Sequence, residues 1–267
     1  MYRFRRVFYY LGSLLTLMRG VRNWPVLFRL GLRGSTGSIL VLRDGTQYAV
    51  RSLMDAWIVK ETNLDRDYEV YGAPLQDGWN IVDIGAGLGD FTVFAARRAP
   101  HGRVFAYEPA PDSAALLEQN LHLNTIHNVE AHPFAVASKA GSLSLDVSSG
   151  VAVQYRTAGE VEGVARKIAV PCIALADLLA GLPGGVCDFL KIDAEGAEYD
   201  MLLNLDGGAL SRVRRICLEY HEGLTAYSHT DLERHFVAHG WRVRTHPSAV
   251  RPELGFLYAE NTAALAG

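Results

Sequence analysis

The feature that most constrains the fold is a glycine-rich stretch, N-I-V-D-I-G-A-G-L-G-D-F-T, at residues 80–92. Its first half is an apolar, β-branched run, as found in strands that are covered on both faces. Gly85, Gly87 and Gly89 then allow a tight turn and a close approach of the backbone to a ligand. A helix that begins near Phe91 presents unpaired backbone N–H groups to the same place. The stretch therefore predicts a strand, a glycine turn and a helix at one edge of a ligand site.

A carboxylate in the next predicted strand indicates the kind of ligand. Glu108 follows the apolar run 104–107 and lies 19 residues after Gly89. From such a position an acid can accept hydrogen bonds from both hydroxyls of a ribose. The fingerprint of dinucleotide sites spaces its glycines as G-x-G-x-x-G, whereas this chain has G-x-G-x-G with Asp83 two residues earlier. That acid would repel a pyrophosphate but suits a ligand with an ammonium and a sulfonium group.

The stretch D-I-G-A-G-L-G-D-F is similar to motif I of the S-adenosylmethionine-dependent, Rossmann-like methyltransferases. The resemblance places the methionine end of S-adenosylmethionine at the glycine turn, the ribose at Glu108 and the adenine beside the backbone after the third strand. The predicted cofactor-binding residues are Asp83, Gly85, Ala86, Gly87, Gly89, Glu108, Pro109, Phe134, Ala135 and Asp193.

Strand and helix patterns alternate from Trp79 onwards, which predicts right-handed crossovers and a mostly parallel central sheet with helices on both faces. We therefore expect an α/β fold of the Rossmann-like class I methyltransferase type. Residues 76–262 form the predicted cofactor-binding domain, with an insertion at 136–174 in which 148–165 is a candidate mobile loop. Residues 1–75 are predicted to form an N-terminal appendage of helices and a β-hairpin, which would cover the substrate or contact a dimer partner or a membrane surface.

Two further strands end in acids and a histidine. K-I-D-A-E-G-A-E supplies Asp193, Glu195 and Glu198, and L-E-Y-H-E supplies Glu219, His221 and Glu222. Because ligands bind at the carboxyl ends of parallel strands, we expect these side chains to converge beside the cofactor. Lys191 is expected to point away from the site, into an ion pair.

The motifs D-I-G-A-G-L-G-D-F-T, E-P, K-I-D-A-E-G-A-E and L-E-Y-H occur in this order and resemble those of the FkbM family of methyltransferases. K-I-D-x-E-G-x-E is the most specific of them, and the resemblance runs from roughly residue 39 to residue 259. It implies O-methylation of a hydroxyl on a sugar, a polysaccharide or a polyketide-type natural product. Leu88 departs from the A-N-x-G form that is common in the family, and we expect it to change the surface of the turn and not the cofactor.

Methyl transfer to an alcohol requires a group that removes the hydroxyl proton. We predict His221 as this base, because imidazole is half neutral near pH 6.5, and Glu195 and Glu219 as groups that orient it or bind sugar hydroxyls. A purely structural role for His221 stays open, and His229 is a weaker candidate base. Glu195 and Glu198 alternatively serve only as acids in the first turn of a helix.

A metal-assisted mechanism is the rival prediction. It places Mg²⁺ or another divalent cation among Asp193, Glu219 and Glu195, since hard cations prefer oxygen ligands. Two other functions also stay open: an NAD-linked oxidoreductase of nucleotide sugars, and a non-catalytic protein that binds the cofactor. The expected partner is a small-molecule or glycan acceptor.

Charge is distributed unevenly along the chain. The first 43 residues contain eight arginines and no other charged residue, so the remainder carries 18 basic and 29 acidic residues, a net charge of −11. Such an acidic domain argues against a nucleic-acid substrate. Three widely spaced cysteines predict neither a disulfide framework nor a zinc site, and buried thiols are typical of a reducing, cytoplasmic location.

The N-terminus combines basic and apolar residues in the manner of a signal peptide, but it lacks a small-residue cleavage site. No run of 18 apolar residues is present, so no membrane span is expected. One helical face carries six apolar residues, which we expect to pack on the domain or on a second subunit of a homodimer. The alternative is a peripheral membrane contact through residues 1–30. The six residues are Phe4, Val7, Phe8, Leu11, Leu14 and Leu15.

Overall fold

The computed structural model describes residues 2–33, 37–146, 156–157, 167–248 and 250–265. The helices in chain order are α1 (Tyr2–Gly20), α2 (Val26–Arg33), α3 (Leu53–Val59), α4 (Asp90–Arg98), α5 (Pro111–Leu123), α6 (Leu175–Gly181), α7 (Ala197–Leu203), α8 (Gly207–Leu210), α9 (His229–Ala238) and α10 (Thr262–Leu265). The strands are β1 (Ser38–Val41), β2 (Gln47–Val50), β3 (Asn80–Ile84), β4 (Arg103–Tyr107), β5 (Val129–His132), β6 (Ala135–Ala137), β7 (Gly141–Asp146), β8 (Arg156–Thr157), β9 (Lys167–Ala174), β10 (Phe189–Ile192), β11 (Arg215–His221), β12 (Trp241–Pro247) and β13 (Leu254–Asn261).

The central sheet has seven strands within the described part of the chain, in the order β12-β13-β11-β10-β3-β4-β5. Neighbours from β11 to β5 are parallel, while β13 is antiparallel to both β11 and β12. The chain leaves β3 towards β4 and β5, and later places β10 and β11 on the other side of β3. The order of the strands therefore reverses between β3 and β10, where such sheets form a crevice for a ligand.

Helices cover both faces of this sheet. Phe189 and Leu190 are consecutive in β10 and point to opposite faces, yet both are fully buried. Leu190 belongs to one buried cluster with Leu179 of α6 and Phe236 of α9, and the ring of Phe189 stacks on that of Phe91 in α4. The predicted Rossmann-like α/β fold with helices on both faces, preceded by a helical and hairpin segment, is confirmed.

The N-terminal segment packs closely on the sheet domain. Leu17 of α1 and Val21, directly after this helix, belong to one buried cluster with Leu88 of the glycine turn and Leu117 of α5. The hairpin of β1 and β2 lies against α5, because Asn120 accepts a hydrogen bond from the backbone N–H of Ala49 at 2.6 Å. The described part of residues 1–75 therefore shares a core with the domain that it precedes.

The predicted apolar face of α1 does not pack on the domain for the residues that the structure describes, and its packing on a second subunit stays a prediction. Leu11, Leu14 and Leu15 are exposed, and the helix packs through its opposite face. That face contains Gly20, which meets the side chain of Leu64, and Ser13, whose hydroxyl accepts a hydrogen bond from Lys60. Small residues permit this close approach, whereas the sequence prediction followed the larger apolar side chains. The side chains of the other three residues of the predicted face, Phe4, Val7 and Phe8, lie outside the described part of the structure.

The insertion forms a second, smaller sheet in the order β6-β9-β7-β8. β7 and β9 are antiparallel, with Leu143 opposite Val170. The candidate mobile loop 148–165 lies outside the described residues except for 156–157, which form β8. None of the helices described is both long and apolar enough to span a membrane.

Candidate active site

A cavity of about 700 Å³ opens at the carboxyl ends of the strands on both sides of the reversal in strand order. Small-molecule sites occupy about 300–1,000 Å³, so this cavity has the size of a ligand site. Its lining includes Gly85 and Gly87 of the glycine turn, Glu108 after β4, Asp193 after β10 and Glu219 of β11. The structure thus brings together the separate strand ends that the sequence indicated.

The glycine turn is required mainly by contacts within the protein. Gly85 has a φ of 73°, and a Cβ there would lie 1.8 Å from the carbonyl oxygen of Asp193. Gly89 has a φ of 86°, and its Cβ would lie 2.5 Å from Leu117. Only Gly87, which lines the cavity, has open space where a Cβ would stand. The first and third glycines therefore bring the chain against itself, and Gly87 leaves the cavity wall free of a side chain.

Glu108 lies beneath this turn and lines the cavity. Its Oε2 accepts a hydrogen bond from the N–H of Gly87, and its Oε1 accepts one from the N–H of Ala110, each at 2.8 Å. Burial raises the pKa of Glu108 to about 7, although the two backbone hydrogen bonds act in the opposite direction. Each carboxylate oxygen can accept a second hydrogen bond. Hydroxyl donors from a ribose would favour the ionised form, so this carboxylate fits the predicted nucleoside.

Asp83 and Lys191 form a buried ion pair directly behind the turn. Lys191 Nζ lies 2.9 Å from Asp83 Oδ1 and donates a hydrogen bond to the carbonyl oxygen of Gly85 at 2.7 Å. Thr92 donates a hydrogen bond to Asp83 Oδ2 at 2.5 Å. Burial alone would lower the pKa of Lys191, but the negative charges of Asp83 and other nearby acids raise it.

The expectation that Lys191 points away from the site was therefore wrong, although it does form an ion pair. The reason is the register of the sheet: Lys191 of β10 is the direct neighbour of Asp83 of β3. Lys191 lines the cavity, whereas Asp83 is fully buried and is not part of the described lining. Asp83 thus contacts the protein behind the turn and not the space in front of it.

His221 is held by a buried glutamate. Its Nδ1 lies 3.1 Å from Glu198 Oε1, which also accepts the backbone N–H of His221 at 3.1 Å. The second oxygen of Glu198 accepts the N–H of Gly196 at 2.7 Å. On the other side of the ring, Nε2 lies 3.9 Å from Asp193 Oδ1 and 3.7 Å from Glu195 Oε2. His221 therefore has one nitrogen fixed within the protein and the other near two acids of the cavity.

Glu198 is a residue whose position the sequence analysis did not predict. The sequence favoured a role as an acid in the first turn of α7 over convergence on the site, but the side chain of Glu198 is fully buried and contacts His221. The signal was the second glutamate of K-I-D-A-E-G-A-E, three residues after the first. Since β10 and β11 are parallel neighbours, a residue early in α7 can reach the end of β11.

The acids of the cavity change the protonation of His221. Burial alone would lower the pKa of His221, but the hydrogen bond to Glu198 and the charges of nearby acids, including Asp193, raise it to about 10. Burial and the charge of Asp193 raise the pKa of Glu219 to about 8. His221 is thus a cation at neutral pH in this geometry, and not half neutral as the sequence suggested. Glu195 also adopts a left-handed conformation with a φ of 48°, a form of backbone strain that clusters at functional sites.

The other predicted cofactor residues divide into two groups. Pro109 and Ala135 line the cavity. Phe134 and Ala86 do not belong to the described lining. Phe134 is exposed and its ring stacks on His132, while Ala86 is buried. Of the segment Phe134–Ala135, whose backbone was predicted to flank the adenine, the described lining includes Ala135 and not Phe134.

The predicted metal site and the weaker base candidate find no support. Across the residues that the structure describes, no three histidine, cysteine, aspartate or glutamate side chains are grouped so that they could hold a metal ion. The cation predicted among Asp193, Glu219 and Glu195 is therefore unsupported. His229 pairs with Glu222, with 2.5 Å between Nδ1 and Oε1, and lies outside the described lining of the cavity.

Part of the cavity lining comes from segments to which the sequence analysis gave no precise role. The second sheet contributes the apolar side chains of Leu143, Leu145 and Val170. The N-terminal segment contributes Trp57, whose Nε1 donates a hydrogen bond to Glu61 at 2.7 Å. These residues carry no local motif, so only their tertiary placement shows that they line the cavity.

Comparison with known proteins gives consistent matches over this region. The family model described as the methyltransferase FkbM domain matches residues 83–243. Methyltransferase sdnD of Sordaria araneosa is 31% identical over 204 residues, which cover 66% of this chain and 78% of that protein. Methyltransferase 1 of Beauveria bassiana is 29% identical over 168 residues, covering 56% and 67%. The 31-O-demethyl-FK506 methyltransferase FkbM of Streptomyces tacrolimicus is 25% identical over 193 residues, covering 62% and 74%. The family match includes the glycine turn, Glu108 and the surroundings of His221.

Proposed function

Since this chain belongs to the FkbM family of S-adenosylmethionine-dependent methyltransferases, we propose that it methylates a hydroxyl oxygen of a natural product with an apolar surface. The main support is His221, whose Nε2 lies near two acids of the cavity while Glu198 fixes the opposite nitrogen. Such an arrangement suits the removal of a proton from an alcohol. The name of the relative from Streptomyces tacrolimicus also supports oxygen as the methylated atom.

We assign the end of the cavity beside the glycine turn to S-adenosylmethionine. Glu108 would accept hydrogen bonds from the ribose hydroxyls, and the backbone at Gly85 and Gly87 would contact the methionine end. Pro109 and Ala135 would flank the adenine, as their place in the lining permits. When bound, this cofactor supplies an electrophilic methyl group on a positively charged sulfur. Asp83 would act indirectly, because it holds Lys191 against the carbonyl oxygen of Gly85.

We assign the role of proton acceptor to His221. As the acceptor oxygen bonds to the methyl carbon and the bond from that carbon to sulfur breaks, the hydroxyl proton would pass to Nε2. The high pKa of His221 reflects the acids around it, and a cationic ligand in the cavity would lower this pKa because like charges repel. Glu198 would then stabilise the imidazolium, in the way that a buried carboxylate stabilises the histidine of a catalytic triad.

The lining favours an acceptor that is partly apolar. Leu143, Leu145 and Val170 form one wall near the site. Contact with an apolar surface removes that wall from water, which contributes roughly 25 cal/mol per Å² of apolar surface buried. A free sugar offers little such surface, so we place a polyketide-type molecule or its glycoside ahead of simple sugars and polysaccharides.

The proposal is tested by incubating the protein with methyl-labelled S-adenosylmethionine and a panel of hydroxylated polyketides, glycosides and free sugars. We expect an O-methylated product, identified by mass spectrometry and by the chemical shift of its methyl group. His221→Gln should reduce the rate by about 10²–10⁴-fold, and calorimetry should show a cofactor affinity no weaker than that of wild type, because the substitution removes a positive charge near the cationic cofactor. His122→Gln, on the exposed side of α5, is the matched control and should keep the rate.

Methylation at nitrogen or carbon would contradict the proposed chemistry, and full activity of His221→Gln would contradict the assigned base. The same panel with NAD in place of S-adenosylmethionine tests the oxidoreductase alternative. Cofactor binding without methyl transfer to any member of the panel would favour a non-catalytic protein. The family match makes both alternatives the less favoured ones.

A further inference from the structure

The outer face of α1 is apolar and has no partner within the described part of the chain. Leu11, Leu14, Leu15 and Met18 are 53%, 51%, 52% and 43% exposed. Their spacing places them on one stripe of the helix, opposite the face through which Leu17 packs. Single exposed leucines are ordinary, but three leucines and a methionine on one stripe mark a surface that binds something apolar.

Arginines lie at the end of this stripe and in the segment that follows it. Arg19 lies in the last turn of α1, and Arg22 and Arg29 follow on the connection and on α2, all exposed. The first 43 residues contain no acidic side chain. An occupant that is apolar beneath and negatively charged at its surface would match both properties, and an anionic lipid bilayer is such an occupant.

The same surface adjoins the opening of the cavity. Tyr10 precedes the stripe, lines the cavity and is exposed, as are Leu53 and Met54 at the start of α3. The ring of Tyr10 lies 5.5 Å from that of Trp57, which is also in the lining. The apolar stripe and the cavity opening are thus continuous through Tyr10.

We infer that α1 docks the enzyme on an anionic lipid surface, with the opening of the cavity beside that surface. The leucines enter the boundary between headgroups and acyl chains, while the arginines contact the headgroups. A second copy of the chain fits this face less well. A symmetric dimer places the same patch of each subunit against the other, and the arginines of both copies would then lie close together.

Vesicle sedimentation of the full chain tests this inference. Wild-type protein should bind phosphatidylcholine vesicles that contain phosphatidylglycerol, bind those without it weakly, and dissociate as salt rises. The double substitution Leu14→Glu, Leu15→Glu should reduce the partition coefficient by about tenfold or more, because it removes two apolar contacts and adds two charges that the surface repels. Val237→Glu is the matched control, because Val237 is an exposed residue of α9, and it should bind as wild type does.

Folding of each variant is checked by circular dichroism and by cofactor binding, and Leu15→Gln replaces the double substitution if that variant does not fold. Equal binding by wild type and variant, equal binding to neutral and anionic vesicles, or no binding at all would overturn the inference. A wild-type dimer that the double substitution makes monomeric, without vesicle binding, would identify the face as a contact between copies. These measurements need no acceptor, so they stand or fall separately from the proposed methyl transfer.

Discussion

Glu198→Gln is the substitution whose effect can be worked out most fully from the structure. Glu198 is fully buried and accepts three hydrogen bonds: one from Gly196 on Oε2, and two from the backbone and ring of His221 on Oε1. Glutamine has the same shape but offers one oxygen and one NH₂ group in place of two oxygens. In either orientation of the amide, at least one buried N–H donor faces another donor.

The expected cost has two parts. A buried donor without an acceptor costs about 1–3 kcal/mol, and the removal of one partner from a buried ion pair costs about 3–5 kcal/mol. These effects overlap, because the amide keeps part of the hydrogen bonding, so we expect a loss of about 2–5 kcal/mol in the free energy of unfolding at neutral pH. The hydrogen bond to Glu198 is the largest contribution that raises the pKa of His221, so this pKa should fall from about 10 towards its ordinary 6.5.

Two measurements check this prediction. Urea denaturation at neutral pH gives the loss of stability, and NMR titration of the ring protons of His221 gives its pKa. Glu118→Gln, at an exposed position of α5, is the control and should leave both unchanged. If the pKa of His221 in the Glu198→Gln variant stayed at the wild-type value, Glu198 would not hold the ring as described, whatever the loss of stability.

Three further predictions concern the same region. Gly85→Ala should lower the unfolding free energy by several kcal/mol, because its Cβ would collide with backbone. Gly87→Ala should cost only about 1–2 kcal/mol, because its left-handed conformation is the sole penalty. Thermal denaturation that showed equal losses for the two variants would contradict this contrast. Lys191→Met should cost about 3–5 kcal/mol, since it leaves the carboxylate of Asp83 buried and unpaired, and adding Asp83→Asn should recover part of the loss in urea denaturation. The third prediction compares wild type with His221→Gln in urea as a function of pH. The pKa of His221 in the folded protein is about 10 and lies above its ordinary value of 6.5. The stabilisation by His221 is therefore fully present below pH 6.5 and is lost as the pH rises through about 10. A difference in unfolding free energy between the two proteins that stayed constant over this interval would refute the pairing of His221 with Glu198.

The sequence predicted those parts of the fold and site that depend on local patterns. The turn at Gly85–Gly89 and the acid at Glu108 lie at fixed distances along the chain from strands whose apolar runs are unmistakable. The convergence of Asp193 and His221 followed from a general rule, because parallel strands bring their carboxyl ends to one edge. Both predictions needed only the order of the strands and no knowledge of side-chain contacts.

What the sequence did not predict depends on register and on close packing. The pairing of Lys191 with Asp83 requires that β10 lies beside β3 in one particular alignment, which no local pattern specifies. The same holds for Glu198, which reaches a strand that follows it in the chain. On α1 the large apolar residues did not identify the face that packs on the domain, because Gly20 permits a close approach on the other side. In each case a distant contact outweighed the local pattern.

The ion pair between Asp83 and Lys191 has a consequence for exchanging segments between relatives. The aspartate belongs to the glycine-rich motif and the lysine to K-I-D-A-E-G-A-E, more than a hundred residues later. The two motifs look independent in the linear chain, yet one salt bridge joins them beneath the turn. A chimera whose crossover falls between the motifs keeps this bridge only if both parents supply the same pair of residues. Functional recombinants should therefore be recovered mainly when the two motifs come from one parent or from parents that match at both positions.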